Sequence, residues 1–289
     1  YSFKCSYSEV MKSNSKYRSP EPLLIVPKKL IIITGSVFGA VGCYSCLLYT
    51  YVFQYDRFSN FMSSDCPDVW NYLPPASYPI GDWEPQRFIW TLVMFAHFPA
   101  RLFFPLFYKC MYGAIISESC QSTCFRALSY ILSRGLIIEA LGLVIVTVFD
   151  VRSDFTLHAV GYGIWLLAFM INAIASAILQ HICGIRALSA KANRTFFIRV
   201  AIFLVGGGLC IFTAYAYAVY RLQCSDTAYL CFSISEYILV MFNAAFHLIP
   251  YWECNDVEIE LVTHRSKPIT RWDLNIIPEK FPLRAISYT

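Results

Sequence analysis

Six stretches of this chain are each long and apolar enough to cross a bilayer: residues 30–54, 86–112, 125–149, 157–182, 195–219 and 231–252. The hydrocarbon core is about 30 Å thick and a helix rises about 1.5 Å per residue, so a span needs roughly 20 mainly apolar residues. The expected fold class is therefore all-α, a polytopic bundle of six transmembrane helices. Composition agrees. The chain is 57% hydrophobic and 15% charged, against about a quarter charged for a soluble domain, and its mean hydropathy is +0.51. Its net charge of +4 is small, and the basic residues gather at span ends rather than on a helix face suited to nucleic acid, so no nucleic-acid partner is expected.

The placement of Lys and Arg sets the expected orientation, because short loops rich in them stay cytosolic. Six lie ahead of the first span (Lys4, Lys12, Lys16, Arg18, Lys28, Lys29) and five follow the last. Lys109, Arg126 and Arg134 flank the second connection, and Arg186, Lys191, Arg194 and Arg199 flank the fourth. The opposite face carries only Arg57, Arg87, Arg152 and Arg221. This alternation predicts two cytosolic termini: a basic tail over 1–29, a membrane domain over 30–252 and a C-terminal tail over 253–289. Both tails are polar and Pro-punctuated, and mobility is expected of them. No cleavable signal peptide is expected ahead of Leu30.

Three loops then face the lumen, over 55–85, 150–156 and 220–230. The first is rich in Pro, aromatics and acids (Asp65, Asp68, Asp82, Glu84), the composition of an ordered cap rather than a linker. Cys66 in this loop and Cys224 in the last face an oxidising compartment, where a bridge would tie the cap to the sixth span; Cys231 is a competing partner. Cys43 and Cys46 lie inside the first span and read as packing. Cys110, Cys120 and Cys124 face the cytosol as unmodified thiols. Gly35, Gly39 and Gly42, and the run Gly206–Gly208, are expected to permit close helix approach. The glycosylation acceptor Asn193-Arg194-Thr195 falls in a cytosolic loop and is expected to be unmodified.

Ionisable groups inside spans are expensive, about 2.5–3.5 kcal/mol each on insertion scales, so they face a bundle interior or a wet cavity. Here they are His97, Arg101, Glu139, Glu236 and His247, with Asp154 and His158 at the lumenal entrance of the fourth span. Glu236, Asn243 and His247 fall within roughly 40° of one helix face at 100° per residue, and His97 and Arg101 share another. One polar stripe is thus expected to meet the other. The functional reading is a cavity in which a histidine, oriented by a carboxylate, takes a proton from a lipid hydroxyl while Arg101 holds an anionic headgroup. The structural alternative is a set of interhelical hydrogen bonds and ion pairs. No Gly-x-Ser-x-Gly elbow, phosphate-binding Gly-rich Lys motif or His-Glu-x-x-His occurs, so any catalysis would be unconventional.

Several segments resemble the family of post-GPI-attachment to proteins factor two, within a wider group that includes the damage-regulated autophagy modulators. They are Cys66, Asn71-Tyr72-Leu73-Pro74 and Pro85-Gln86-Arg87-Phe88-Ile89-Trp90, then His97 with Arg101, Glu139 and Asp154-Phe155-Thr156-Leu157-His158. Cys224, Glu236-Tyr237 and Asn243-Ala244-Ala245-Phe246-His247 complete the set. The resemblance implies a Golgi or endoplasmic reticulum membrane protein that remodels GPI anchors, in which lyso-GPI receives a saturated, typically stearoyl, chain at sn-2. On that reading His158 or His247 is the base, and Glu236, Asp154 or Glu139 orients it. Arg101, His97, Asn243 and Arg87 bind substrate. The partners are lyso-GPI-anchored proteins, membrane lipid and other GPI-remodelling enzymes, with acyl-CoA or a phospholipid as acyl donor and no metal required. A non-catalytic lipid scaffold and a proton-linked lipid transporter are the alternative functions.

Overall fold

The structure, a computed structural model, describes residues 2–7, 24–25, 27–62, 66–70, 72–113, 122–187, 189–253 and 257–262. Asp65, Asn71, Cys120 and most of the two tails lie outside the described residues.

Six helical segments are long and apolar enough to span a membrane. Helix α1 (Lys28–Phe53) is followed by the short cap helices α2 (Tyr55–Ser59) and α3 (Ser77–Gly81). Next come α4 (Gln86–Arg101), α5 (Phe104–Gly113), α6 (Thr123–Val148), α7 (Phe155–Ile182), α8 (Ala190–Gln223), α9 (Asp226–Leu248) and α10 (Pro250–Glu253). Four of the long helices begin at a side-chain cap. Ser122, Asp154, Ser189 and Ser225 accept the backbone N–H of Phe125, Leu157, Ala192 and Ala228, respectively, which satisfies amide donors that a helix start leaves orphaned.

The second span differs from its sequence reading: it is two helices, α4 and α5, broken at Leu102 and Phe103. Pro105 has no amide hydrogen, and its ring clashes with the carbonyl four residues back, that of Arg101. The loop expected over 220–230 shrinks to Cys224 and Ser225, because Cys224 ends α8 in the left-handed region (φ 47°) and Ser225 immediately caps α9. Arg199, assigned from sequence to a loop end, is buried inside α8 and forms a two-pronged pair with Glu253 at 2.6 and 2.6 Å.

Glycines set how closely the helices approach. A Cβ on Gly39 would stand 3.0 Å from the His97 ring, and one on Gly42 would stand 2.7 Å from Val93, so α1 lies directly on α4. Of the Gly206–Gly208 run, only Gly206 meets neighbours that a Cβ would crowd (Met170 and Phe242, both at 3.3 Å), and Gly208 faces open space. The tails contribute three short strands, β1 (Ser2–Tyr7), β2 (Leu24–Ile25) and β3 (Val257–Val262), in an antiparallel sheet of order β1-β3-β2. Ser2 pairs with Val262 and Leu24 with Leu261, so segments from the two tails meet at one end of the bundle.

Described residues of the loop over 55–85 pack at the α8–α9 turn. Phe61, Val69 and Trp83 are buried with Tyr220 and Tyr229 at the α8–α9 turn. The Cys66–Cys224 disulfide, with Cα atoms 5.5 Å apart, fastens the cap there. Trp70 N–H donates to the Asp226 carboxylate at 2.8 Å, and Asp82 receives Arg152 at 3.1 Å and Arg57 at 3.8 Å.

Candidate functional site

Two polar sites lie one above the other inside the bundle. The deeper is centred on Glu139 of α6, which is fully buried. Its Oε1 accepts from Arg101 Nη1 at 2.9 Å, Asn243 Nδ2 at 2.7 Å and His247 Nε2 at 2.7 Å; its Oε2 accepts from Asn172 Nδ2 at 2.7 Å. Arg101 also donates through Nη2 to Asn243 Oδ1, and through Nε to His97 Nε2 at 3.0 Å. Since Arg101 can only donate, His97 Nε2 is an acceptor, and the ring carries its proton on Nδ1, which donates to the Thr34 carbonyl at 3.0 Å. The stripe from α4 and the stripe from α9 therefore meet, as their spacing indicated, with α6 and α7 closing the cluster. With four donors on its two oxygens, the Glu139 carboxylate ties four helices in one register, while Asn172 Oδ1 and His247 Nδ1 have no partner among the described residues.

The second site lies toward the cap. A chamber with about 60 Å³ of room for water has His97, Arg101 and Asn243 at its floor, Tyr162, Trp165 and Glu236 on its walls, and Ala76 and Ser77 of the cap at its roof. Glu236 Oε2 accepts the Ala76 N–H at 2.9 Å. Behind the roof, His158 Nδ1 donates to the Phe149 carbonyl at 2.8 Å. That leaves Nε2 with a lone pair, and the Ser77 hydroxyl donates to it at 3.0 Å. Trp165 and Tyr162 line the chamber, and their Nε1 and hydroxyl are buried with no hydrogen-bond partner among the described residues. An apolar groove of about 510 Å³ runs between α1 and α9 and shares Ala40 and Ala244 with the chamber lining. Val41, Leu48 and Met241 line the groove and are exposed on the outer surface of the bundle.

The residues singled out from sequence thus divide. Arg101, His97, Asn243, Glu139 and His247 form the deep cluster, and the first three also reach the chamber. Glu236 and His158 belong to the chamber and its roof. Asp154 is the N-cap of α7, its carboxylate on Leu157 N–H at 2.9 Å. Arg87 has a half-exposed side chain 3.5 Å from Asp150, outside the chamber. Sequence reasoning passed over Ser77, Asn172, Tyr162 and Trp165. Asn172 was detectable as an amide inside a span. Ser77 was not, because nothing in the order of residues pairs a loop serine with a histidine 81 positions on.

At the turn between α6 and α7, burial pushes the Asp150 carboxyl upward. The backbone N–H groups of Ser153 and Arg152, each 2.8 Å from Oδ1, and the nearby Arg87 guanidinium outweigh that effect and hold it below the ordinary carboxylate range. Among the described residues, no group of three or more His, Cys, Asp or Glu side chains is placed to hold a metal ion.

These features define a multi-pass membrane protein of six helices with a capped polar chamber beside a lipid-facing groove. The chain belongs to the Frag1/DRAM/Sfk1/Cwh43P N-terminal domain family, whose model matches residues 28–257. It is 28% identical over 221 residues, 73% of this chain and 80% of the relative, to Post-GPI attachment to proteins factor 2 of Drosophila pseudoobscura pseudoobscura. The protein of that name from Drosophila melanogaster is 26% identical over 84% of this chain and 92% of its own length. Acyltransferase PGAP2 of Xenopus tropicalis is 24% identical over 78% of this chain and 86% of its own. No solved structure matches.

Proposed function

We propose that this protein acts in GPI-anchor remodelling by transferring a saturated acyl chain, typically stearoyl, to the sn-2 hydroxyl of lyso-GPI. The relatives' names supply the pathway, and the carrying observation is that the chamber and the apolar groove lie against each other across the small side chains of Ala40 and Ala244. A shift of these two residues would let a fatty chain lying in the groove bring its polar end to the chamber. The base on this reading is His158, whose Nε2 lone pair is aimed at the roof and whose Nδ1 proton is fixed by a backbone carbonyl. His247 is committed through Nε2 to Glu139, whereas His158 Nε2 meets Ser77 of the chamber lining.

The cap face is lumenal on this reading, in keeping with the Cys66–Cys224 bridge, and the tails are cytosolic. The protein would then work in Golgi membranes or those of the endoplasmic reticulum, on lyso-GPI-anchored proteins and alongside other remodelling enzymes. A lipid scaffold is the second reading, favoured by the convergence of donors from three helices on the Glu139 carboxylate, which suits a structural role for Arg101 and Glu139. The two separate in one assay: transfer of labelled stearoyl to lyso-GPI by purified protein in bilayers, wild type beside His158→Ala. Acyl transfer predicts a loss of about 100- to 10,000-fold on removing the base. Specific lyso-GPI binding without transfer by the wild type would leave the scaffold.

A further inference from the structure

Resting on the acyl-transfer reading, we propose that Ser77 is a nucleophile that carries the acyl chain as a covalent ester between donor and acceptor, with His158 shuttling the proton. Three observations lead there. Ser77 already donates its hydroxyl hydrogen to His158 Nε2 at 3.0 Å, and the Phe149 carbonyl locks the tautomer from the other side. Nucleophile, base and orienting group are thus in place. Ser77 lines the chamber, as do Trp165 and Tyr162, whose Nε1 and hydroxyl are buried without a hydrogen-bond partner among the described residues. Turned toward the chamber, such donors would serve a developing oxyanion at the acyl carbon.

The third observation is room: the chamber leaves space beside Ser77 for water-sized groups. A stepwise reaction requires only one reacting lipid end there at a time. In the first step the Ser77 proton passes to His158 Nε2 as Oγ bonds the acyl carbon. The donor's ester C–O bond then breaks, and its oxygen leaves with that proton. In the second step the acceptor hydroxyl gives its proton to Nε2, and its oxygen bonds the acyl carbon. Ser77 leaves and recovers the proton. One ester forms for each ester broken, and no oxidant or reductant is needed. The groove opens on the lipid-facing surface at Val41 and Met241, so the donor arriving through it is a phospholipid ester; an acyl thioester would supply the same carbonyl from water.

The test incubates the purified protein in bilayers with phospholipid carrying a labelled stearoyl chain, in parallel with stearoyl thioester, before any acceptor is added. The expected result is label from the phospholipid on the peptide containing Ser77, resistant to neutral hydroxylamine, which strips thioesters from cysteines, and lost when lyso-GPI is added. Ser77→Ala should abolish the label and lower transfer by at least about 1,000-fold, and Ser77→Cys should make the label hydroxylamine-sensitive. Label from the thioester alone would overturn the phospholipid assignment and keep the nucleophile. Wild-type transfer with no label on Ser77, undiminished in Ser77→Ala, would overturn the nucleophile and leave acyl transfer standing. Absence of transfer from either donor would remove the acyl-transfer reading itself. Should Ser77→Ala fail to fold, the wild-type labelling alone decides.

Discussion

Glu139→Gln tests the deep cluster as a structural device. The carboxylate accepts four hydrogen bonds, from Arg101, Asn243, His247 and Asn172, at 2.7–2.9 Å. At roughly 0.6 kcal/mol for an interhelical side-chain hydrogen bond in a bilayer, they sum to about 2.4 kcal/mol. An amide in place of the carboxylate cannot accept from all four donors, and it leaves Arg101, only 3% exposed, as a buried charge with no counter-ion. Breaking a buried pair from one side costs about 3–5 kcal/mol, and this is the expected loss, read by unfolding the protein with denaturing detergent in mixed micelles. The double variant Arg101→Met/Glu139→Leu removes both charges and should recover most of that loss, which a double-mutant cycle measures. A single-variant loss under 1 kcal/mol, or a double variant worse than the sum of its singles, would refute the account. A stable Glu139→Gln protein that had lost all transfer activity would instead move Glu139 into the chemistry.

Three further outcomes follow from the cap-side architecture. Cys66→Ser opens a bridge spanning 158 residues of chain. It should cost about 2–4 kcal/mol, and free thiol at Cys224 should appear on alkylation of the unreduced protein. Asp150 has a folded-state pKa below its ordinary value, so its contribution is present above about pH 3.9, the free aspartate value, and is lost as pH falls through the lower folded value. Asp150→Asn should flatten that acid limb of a pH–stability curve, and an unchanged limb would assign it to other groups. For orientation, Met62→Thr creates an acceptor at the exposed Asn60 of the cap, which should gain a glycan in a secretory membrane while Asn193 stays bare; the reverse pattern would invert the topology.

What was readable in the sequence follows from which interactions are periodic. Six apolar runs and two polar stripes repeat along helices, so the spans and the meeting of His97 and Arg101 with Asn243 and His247 could be anticipated from spacing. The Cys66–Cys224 bridge was readable because its cysteines sit in loops. The break after Arg101 was signalled by Pro105 but overridden by the continuous hydropathy of the segment. The extent of α8 and α9 was hidden for a different reason: Ser225 and Asp226 look like loop residues, yet they are a cap and a first-turn acid, the positions where polar residues start helices. Ser77 belongs to no periodic element, and its partnership with His158 depends on how the cap folds back over the bundle.

The two polar sites therefore do different physical work despite sharing a wall. In the deep cluster every Glu139 acceptor is matched to a donor, and three Arg101 donors are matched to acceptors, so moving any member leaves a charge or amide unpaired in a medium that punishes it. Such a cluster is a rigid floor, and rigidity there favours reaction above it. Both sites keep unpartnered polar atoms among the described residues, Asn172 Oδ1 and His247 Nδ1 in the deep cluster and Trp165 Nε1 and the Tyr162 hydroxyl at the chamber, but only at the chamber is a serine polarised by a histidine without being locked by a second bond among the described residues. Unspent donors beside a pre-oriented hydroxyl are costly to keep in a folded protein unless something else is to fill them. An acyl carbonyl would meet that requirement once Trp165 or Tyr162 turned its donor toward the chamber, with the acyl carbon at Ser77 and the chain directed past Ala40 and Ala244 to the groove between α1 and α9.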